Sequence, residues 1–330
     1  MAQRDAEHRR PPGLAWSWSS ALLGAVYAVP AGLVAIQDVR HGLAAAVGVL
    51  PAAIAGLPAR RRGRRLLVLL GVLTGVAMFV GGVLAGVPVV AVAAVFVLGV
   101  GAAWLAMHTR GGGIAMTLAL PMVGVGLSYA SASEAAALAG LMVAGSVYAY
   151  GVSLLWPERP PPASRPPGAA AGVTLGYGVR LGAAGASAAA IGFLLDFQHV
   201  GWACAAALLV MRPARDMQRL RSAGRLLAVA TGALAAIAVL RAEPAAGWYV
   251  PIVVALIGGA AATRGSRWYV TPAFSTFLVF LLLLFSDPGD ASWRLGERLG
   301  ETALGVGIAY LFGLLLPAVT GSRLAERNGR

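Results

Sequence analysis

Two short patterns in the sequence could carry chemistry. Asp38-x-x-His41 and Asp196-x-x-His199 each set a carboxylate three residues before an imidazole. A histidine exchanges its proton within the physiological pH range, and beside an aspartate at a membrane boundary it could serve a proton relay. The plainer use of the same spacing is an aspartate capping the next helix. The second pattern is cationic: Arg212 and Arg225, with Arg215 nearby and a matching run from Arg60 to Arg65. Guanidinium forks suit carboxylates bidentately, and a cluster of them concentrates anions. The same arginines would also anchor topology and touch lipid headgroups. Trp202 could stack on an aromatic substrate or sit at the membrane interface. Other chemistry is missing. There is no phosphate-binding P-loop, HExxH or GxSxG, and Gly111-Gly112-Gly113 lacks a strand-to-helix context. The single cysteine, Cys204, rules out an internal disulfide or a cysteine metal cluster. No enzyme activity, cofactor or metal site is expected.

The elements that must position these residues follow from composition. Of 330 residues, 58% are hydrophobic and 12% charged, against roughly a quarter charged in a soluble domain. A mean hydropathy of +0.77 over the whole length makes lipid the solvent. That excludes soluble enzymes, secreted disulfide scaffolds and disordered tails. The apolar runs are continuous rather than alternating, so the expected class is an all-α polytopic membrane protein. Twelve spans are predicted. The first six are 18–36, 42–58, 66–86, 88–107, 112–129 and 134–156; the second six are 174–195, 199–212, 222–240, 246–262, 269–286 and 299–317. The second span of each half is short or interrupted by Pro51, and could be broken or re-entrant. Glu134, Glu301 and Asp196 fall at span boundaries, so no carboxylate is expected deep in the membrane.

The halves match at corresponding places, as two parallel six-helix repeats would. Asp38/His41 and Asp196/His199 both follow a first span, and Thr109-Arg110-Gly111 and Thr263-Arg264-Gly265 both precede a fifth. Tyr150 to Pro157 and Tyr310 to Pro317 both end a sixth. The organisation read from this is a tail (1–17), a first repeat (18–157), a Pro-rich linker (158–173), a second repeat (174–318) and a tail (319–330). The polar segment Met1–Pro12 leads into a long apolar span with no cleavage signature, so that span is expected to stay. All 26 basic residues are arginine, and the net charge is +13. With both termini cytoplasmic, 22 of them lie inside and four outside: Arg40, Arg241, Arg294 and Arg298. The charge therefore orients a cell-membrane protein, and nucleic acid is not an expected partner.

The stretch His199-Val200-Gly201-Trp202, continuing through Met211-Arg212-Pro213 to Arg221, Arg225 and Gly232, resembles the fusaric acid resistance–like family of integral membrane transporters. The resemblance covers about 174–317; in the first half His41 is kept, but Ala44 stands where Trp would be. Many members of that family carry large soluble regions, where this chain has its Pro-rich linker and short tail. What the resemblance implies is export of small organic anions, commonly aromatic carboxylates. Arg212, Arg225 and Trp202 are then candidate anion-binding residues; His199, Asp196, His41 and Asp38 are candidates for proton coupling. The expected partners are the lipid bilayer and the anion, with room for a homo-oligomer. The competing functions are a passive anion channel of the same fold, a major-facilitator-type carrier and a non-transporting accessory subunit.

Overall fold

The computed structural model describes residues 13–109, 111–129, 131–158, 160, 172–266, 269–286 and 291–317. The tail to residue 12, most of the proline-rich linker and the tail from 319 lie outside the described residues. Among the described residues the regular structure is entirely helical, in twelve helices. The first six are α1 (Trp18–Gln37), α2 (Val39–Ala55), α3 (Arg65–Leu84), α4 (Pro88–His108), α5 (Gly112–Gly126) and α6 (Ala132–Leu155). The second six are α7 (Leu175–Leu194), α8 (Val200–Val210), α9 (Arg215–Arg241), α10 (Tyr249–Ala262), α11 (Val270–Ser286) and α12 (Ala291–Tyr310), the last extended by a π turn, Leu311–Leu315. Seven helices are long and apolar enough to cross a membrane, namely α1, α3, α4, α6, α7, α9 and α12; the other five are shorter.

Local chemistry explains the helix starts. Ser17, Asp38, Ser131 and Thr174 each accept a backbone N–H of the first turn of α1, α2, α6 and α7. Pro88 opens α4 at the one place where its missing N–H is harmless. Proline also lies inside α1 (Pro30) and α2 (Pro51), and neither ends its helix.

Packing runs across the two halves. α1 lies along α10, and α4 lies along α7. α2 is held by α1, α6 and α11, while α8 is held by α7, α12 and α5. Small residues allow the close approaches: Gly99 meets Gly182 between α4 and α7, and Gly24 meets Gly258 between α1 and α10. Two buried polar side chains make corresponding ties. Arg64, just before α3, donates to the carbonyls of Ser153, Trp156 and Pro157 at the end of α6, two of them at 2.9 and 3.0 Å. Gln218, in the first turn of α9, donates to the Ala309 carbonyl of α12. Both satisfy carbonyls at or near a helix end.

One boundary departs from expectation. α12 starts at Ala291, eight residues before the expected 299. Charged residues at 294, 297, 298 and 301 argue against a span by composition, but they fall on one stripe of a helix and turn inward together.

Candidate functional site

The site is built around α8. Its eleven residues rise about 16 Å, about half the hydrocarbon thickness. Every residue but Leu209 is buried, so both ends of the helix lie inside the protein. Its neighbours come up to its backbone. A Cβ at Gly201 would sit 1.8 Å from the Gly124 carbonyl of α5, and one at Gly305 of α12 would sit 2.3 Å from the Ala203 carbonyl.

His199 precedes α8 without a side-chain capping bond, and its ring is stacked on Trp202 at 4.1 Å with 14° between planes. The guanidinium carbon of Arg298 lies 3.8 Å from the Trp202 ring centroid. Away from water such a cation–π contact is worth about 1–2 kcal/mol. Trp202 is thus a buried interior side chain, where the sequence also allowed an interfacial one, and its ring serves the protein's own His199 and Arg298.

Arg298 belongs to a stripe that the sequence reading set at a boundary. Arg294, Glu297, Arg298 and Glu301 recur at i, i+3, i+4 and i+7 of α12, one face of the helix. Along the span from Trp293 to Leu315, Glu301 lies about 12 Å in and Arg298 about 7.5 Å in. Glu301 is 2% exposed and Arg298 7%. The expectation that Glu301 falls at a span boundary is therefore corrected: it is buried within the candidate span, because the helix begins earlier than apolar content alone indicates. Among the described residues neither carboxylate oxygen of Glu301 has a hydrogen-bond partner, and the Nε and Nη1 of Arg298 and the hydroxyl of Thr302 also have none. The i, i+3, i+4, i+7 spacing is the signal that could have found this group.

Arg225 of α9 is 8% exposed with an unpartnered Nε, and it is an electrostatic neighbour of Arg298, together with Glu301 and Tyr129. Arg212 is not brought to the same place. It lies past the other end of α8, ten residues or about 15 Å beyond Trp202. There its Nη1 donates to the Met211 carbonyl at 2.6 Å, which also accepts the Tyr177 hydroxyl at 3.2 Å. Arg180 and Arg221 stand around the same tyrosine. The candidate anion-binding residues thus form two groups, one at each end of α8.

The two Asp-x-x-His segments differ. Asp38 caps α2, accepting the His41 N–H at 3.0 Å, while its other oxygen lies 2.8 Å from His41 Nδ1. The pair is exposed, and the bond from the His41 backbone holds the Asp38 carboxyl below its ordinary pKa. Asp196 caps nothing: it is exposed with φ of 52°. His199 instead meets Glu297, whose carboxylate oxygen is 3.9 Å from its Nδ1.

No curated protein and no solved structure matches this chain. A family model described as fusaric acid resistance protein-like does match, over residues 187–312. That range takes in α8, α9 and the charged stripe of α12, with Trp202, Arg225, Arg298 and Glu301. The second half of this multi-pass membrane protein carries a fusaric acid resistance protein-like domain.

Proposed function

We propose that this chain is a transporter that moves small organic anions, aromatic carboxylates among them, out of the cell, and that Arg298 and Arg225 hold the carboxylate. The observation that carries this reading is a pair of buried, neighbouring arginines whose guanidinium nitrogens include unpartnered donors. Leaving such donors unmet inside a protein costs about 1–3 kcal/mol or more each, and an anion with two oxygens would meet them. Arg180, Arg212 and Arg221 at the other end of α8 form the anion's vestibule, and Trp202 holds Arg298 in place.

The arrangement proposed is two six-helix repeats with both termini in the cytoplasm. It is supported by the reciprocal pairing of α1 with α10 and of α4 with α7. It is supported also by Arg64 and Gln218, 154 residues apart like Thr109 and Thr263, each tying a third helix to a sixth. With Arg298 inside the bundle, only Arg40, Arg241 and Arg294 remain on the outer side. The repeats are not equal in chemistry. At the offset of 160 that relates Tyr150 to Tyr310, Ala137, Leu138 and Leu141 stand where α12 has Glu297, Arg298 and Glu301. The chain thus carries one anion site, in its second half.

Cells lacking their own exporters and loaded with hydroxybenzoate test this. Expression of the chain should speed efflux, and Arg225→Ala or Arg298→Ala at equal membrane levels should return it towards the background rate. Equal acceleration by both variants would contradict the assignment.

A further inference from the structure

The anion site has a second ligand built beside it. Glu301 lies one helical turn beyond Arg298 on the same face of α12, almost wholly buried, with no partner on either oxygen among the described residues. An ionised carboxylate in that position is strongly unfavourable unless it is paired. The cation within reach on its own face is Arg298, whose free donors are the ones an anion needs. Two arrangements satisfy the group. Either Glu301 is ionised and draws Arg298 to itself, or Glu301 is protonated and Arg298 is left for the substrate.

The charged and titratable groups around this choice come from every helix packed on α12. The helix itself supplies Arg294, Glu297 and Arg298; α9 supplies Arg225; Tyr129 follows α5. The turn before α8 supplies His199, and α8 itself the buried Cys204. The titratable groups of α7, Tyr177 and Arg180, lie at the Arg212 end. Of all these only Glu297 adds negative charge beside Glu301. It sits one turn nearer the start of α12 and meets His199, so it connects Glu301 towards that end of the bundle.

Resting on the transport reading above, we propose that Glu301 is a proton-binding site coupled to the anion site, so that the chain takes up an anion and a proton together. On loading, the Glu301 carboxylate accepts one proton from water, its attraction for Arg298 ends, and the guanidinium turns its N–H donors to the substrate carboxylate. Release reverses both steps. No other co-reactant is needed, and the species moved is the sum of a monovalent anion and a proton. The pair moved is electroneutral, so outward transport runs while the product of anion and proton concentrations is higher inside the cell than outside, on the acid's own gradient and not on the proton gradient.

Binding of 4-hydroxybenzoate to the purified full chain in nanodiscs tests this, by calorimetry in buffers of different ionisation heat between about pH 6 and pH 8. One coupled proton predicts affinity that strengthens by up to about tenfold per pH unit lowered, with close to one proton taken up per anion. Glu301→Gln, a mimic of the protonated acid, should bind at the low-pH affinity throughout and take up no proton; Glu301→Asp should keep the coupling. Infrared difference spectra of the unliganded wild type, where the carboxylic acid band of Glu301 should grow as pH falls, give a readout that does not depend on the glutamine variant folding. Anion binding with no pH dependence, or proton uptake retained in Glu301→Gln, would overturn the coupling and leave the transport reading standing. Absence of binding at every pH, unchanged by Arg298→Ala, would overturn the transport reading and the coupling with it.

Discussion

Arginine is used in two opposite ways in this protein, and the difference lies in its partners. Arg64 is fully buried, yet it meets three carbonyls at the end of α6 and acts as a clamp. Arg64→Ala would leave those carbonyls unmet, and about 2–4 kcal/mol of stability should be lost; thermal unfolding in detergent would measure it, and no loss would remove the clamp from the account. Arg298 is buried with free donors and a tryptophan against it. Replacing Trp202 with Leu should free that guanidinium and weaken hydroxybenzoate binding about fivefold, near 1 kcal/mol. Trp202→Phe should restore most of that. An equal effect of both substitutions would point to lost packing instead. Arg64 lies within a run, Arg60 to Arg65, whose composition indicates topology or an anion-gathering cluster. Its role could not be read there because its partners are backbone carbonyls about 90 residues away.

At the scale of elements, the short α8 places the site. A full-length span would carry His199 and Arg212 to opposite membrane faces, whereas eleven residues keep both ends within the protein. Close packing on α5 and α12 depends on Gly201 and Gly305, so Gly201→Ala should push α8 from α5 and cost both stability and transport. Gly307→Ala, on the same helix as Gly305 but facing open space, should be neutral; similar behaviour of the two variants would count against the α8 packing described here. The twelve helices were legible because continuous apolar runs of this length have few alternatives in lipid. The shortness of α8 was legible too, from the gap between His199 and Arg212, whereas Pro51, which suggested a broken span, lies inside a continuous α2. The start of α12 was not. A composition window sees charges at 294, 297, 298 and 301 as an end, while the helical period sees one inward face. The Asp196/His199 pair misled for a related reason. Its likeness to Asp38/His41 is a likeness of spacing, and the backbone turns at Asp196, so His199 faces α12.

For the whole molecule, α1 and α7 are exchanged onto the opposite halves, so neither half is a separate body and the polar site is enclosed by helices of both. The proposed topology puts residues 109 and 158 in the cytoplasm and 131 outside. Cys204 is buried, so single cysteines can be added to the natural chain. In intact cells an impermeant maleimide should label Ser131→Cys and spare Thr109→Cys, and the reverse pattern would invert the orientation. The central claim is that one chain moves organic anions through a buried arginine site. The most direct measurement is efflux of 4-hydroxybenzoate and of neutral 4-hydroxybenzamide from vesicles containing only the purified protein. The protein should accelerate release of the acid over the amide, and Arg298→Ala should remove about nine-tenths of that acceleration, the loss of one charged hydrogen-bond donor set. Equal release of acid and amide, or full activity in Arg298→Ala, would contradict it.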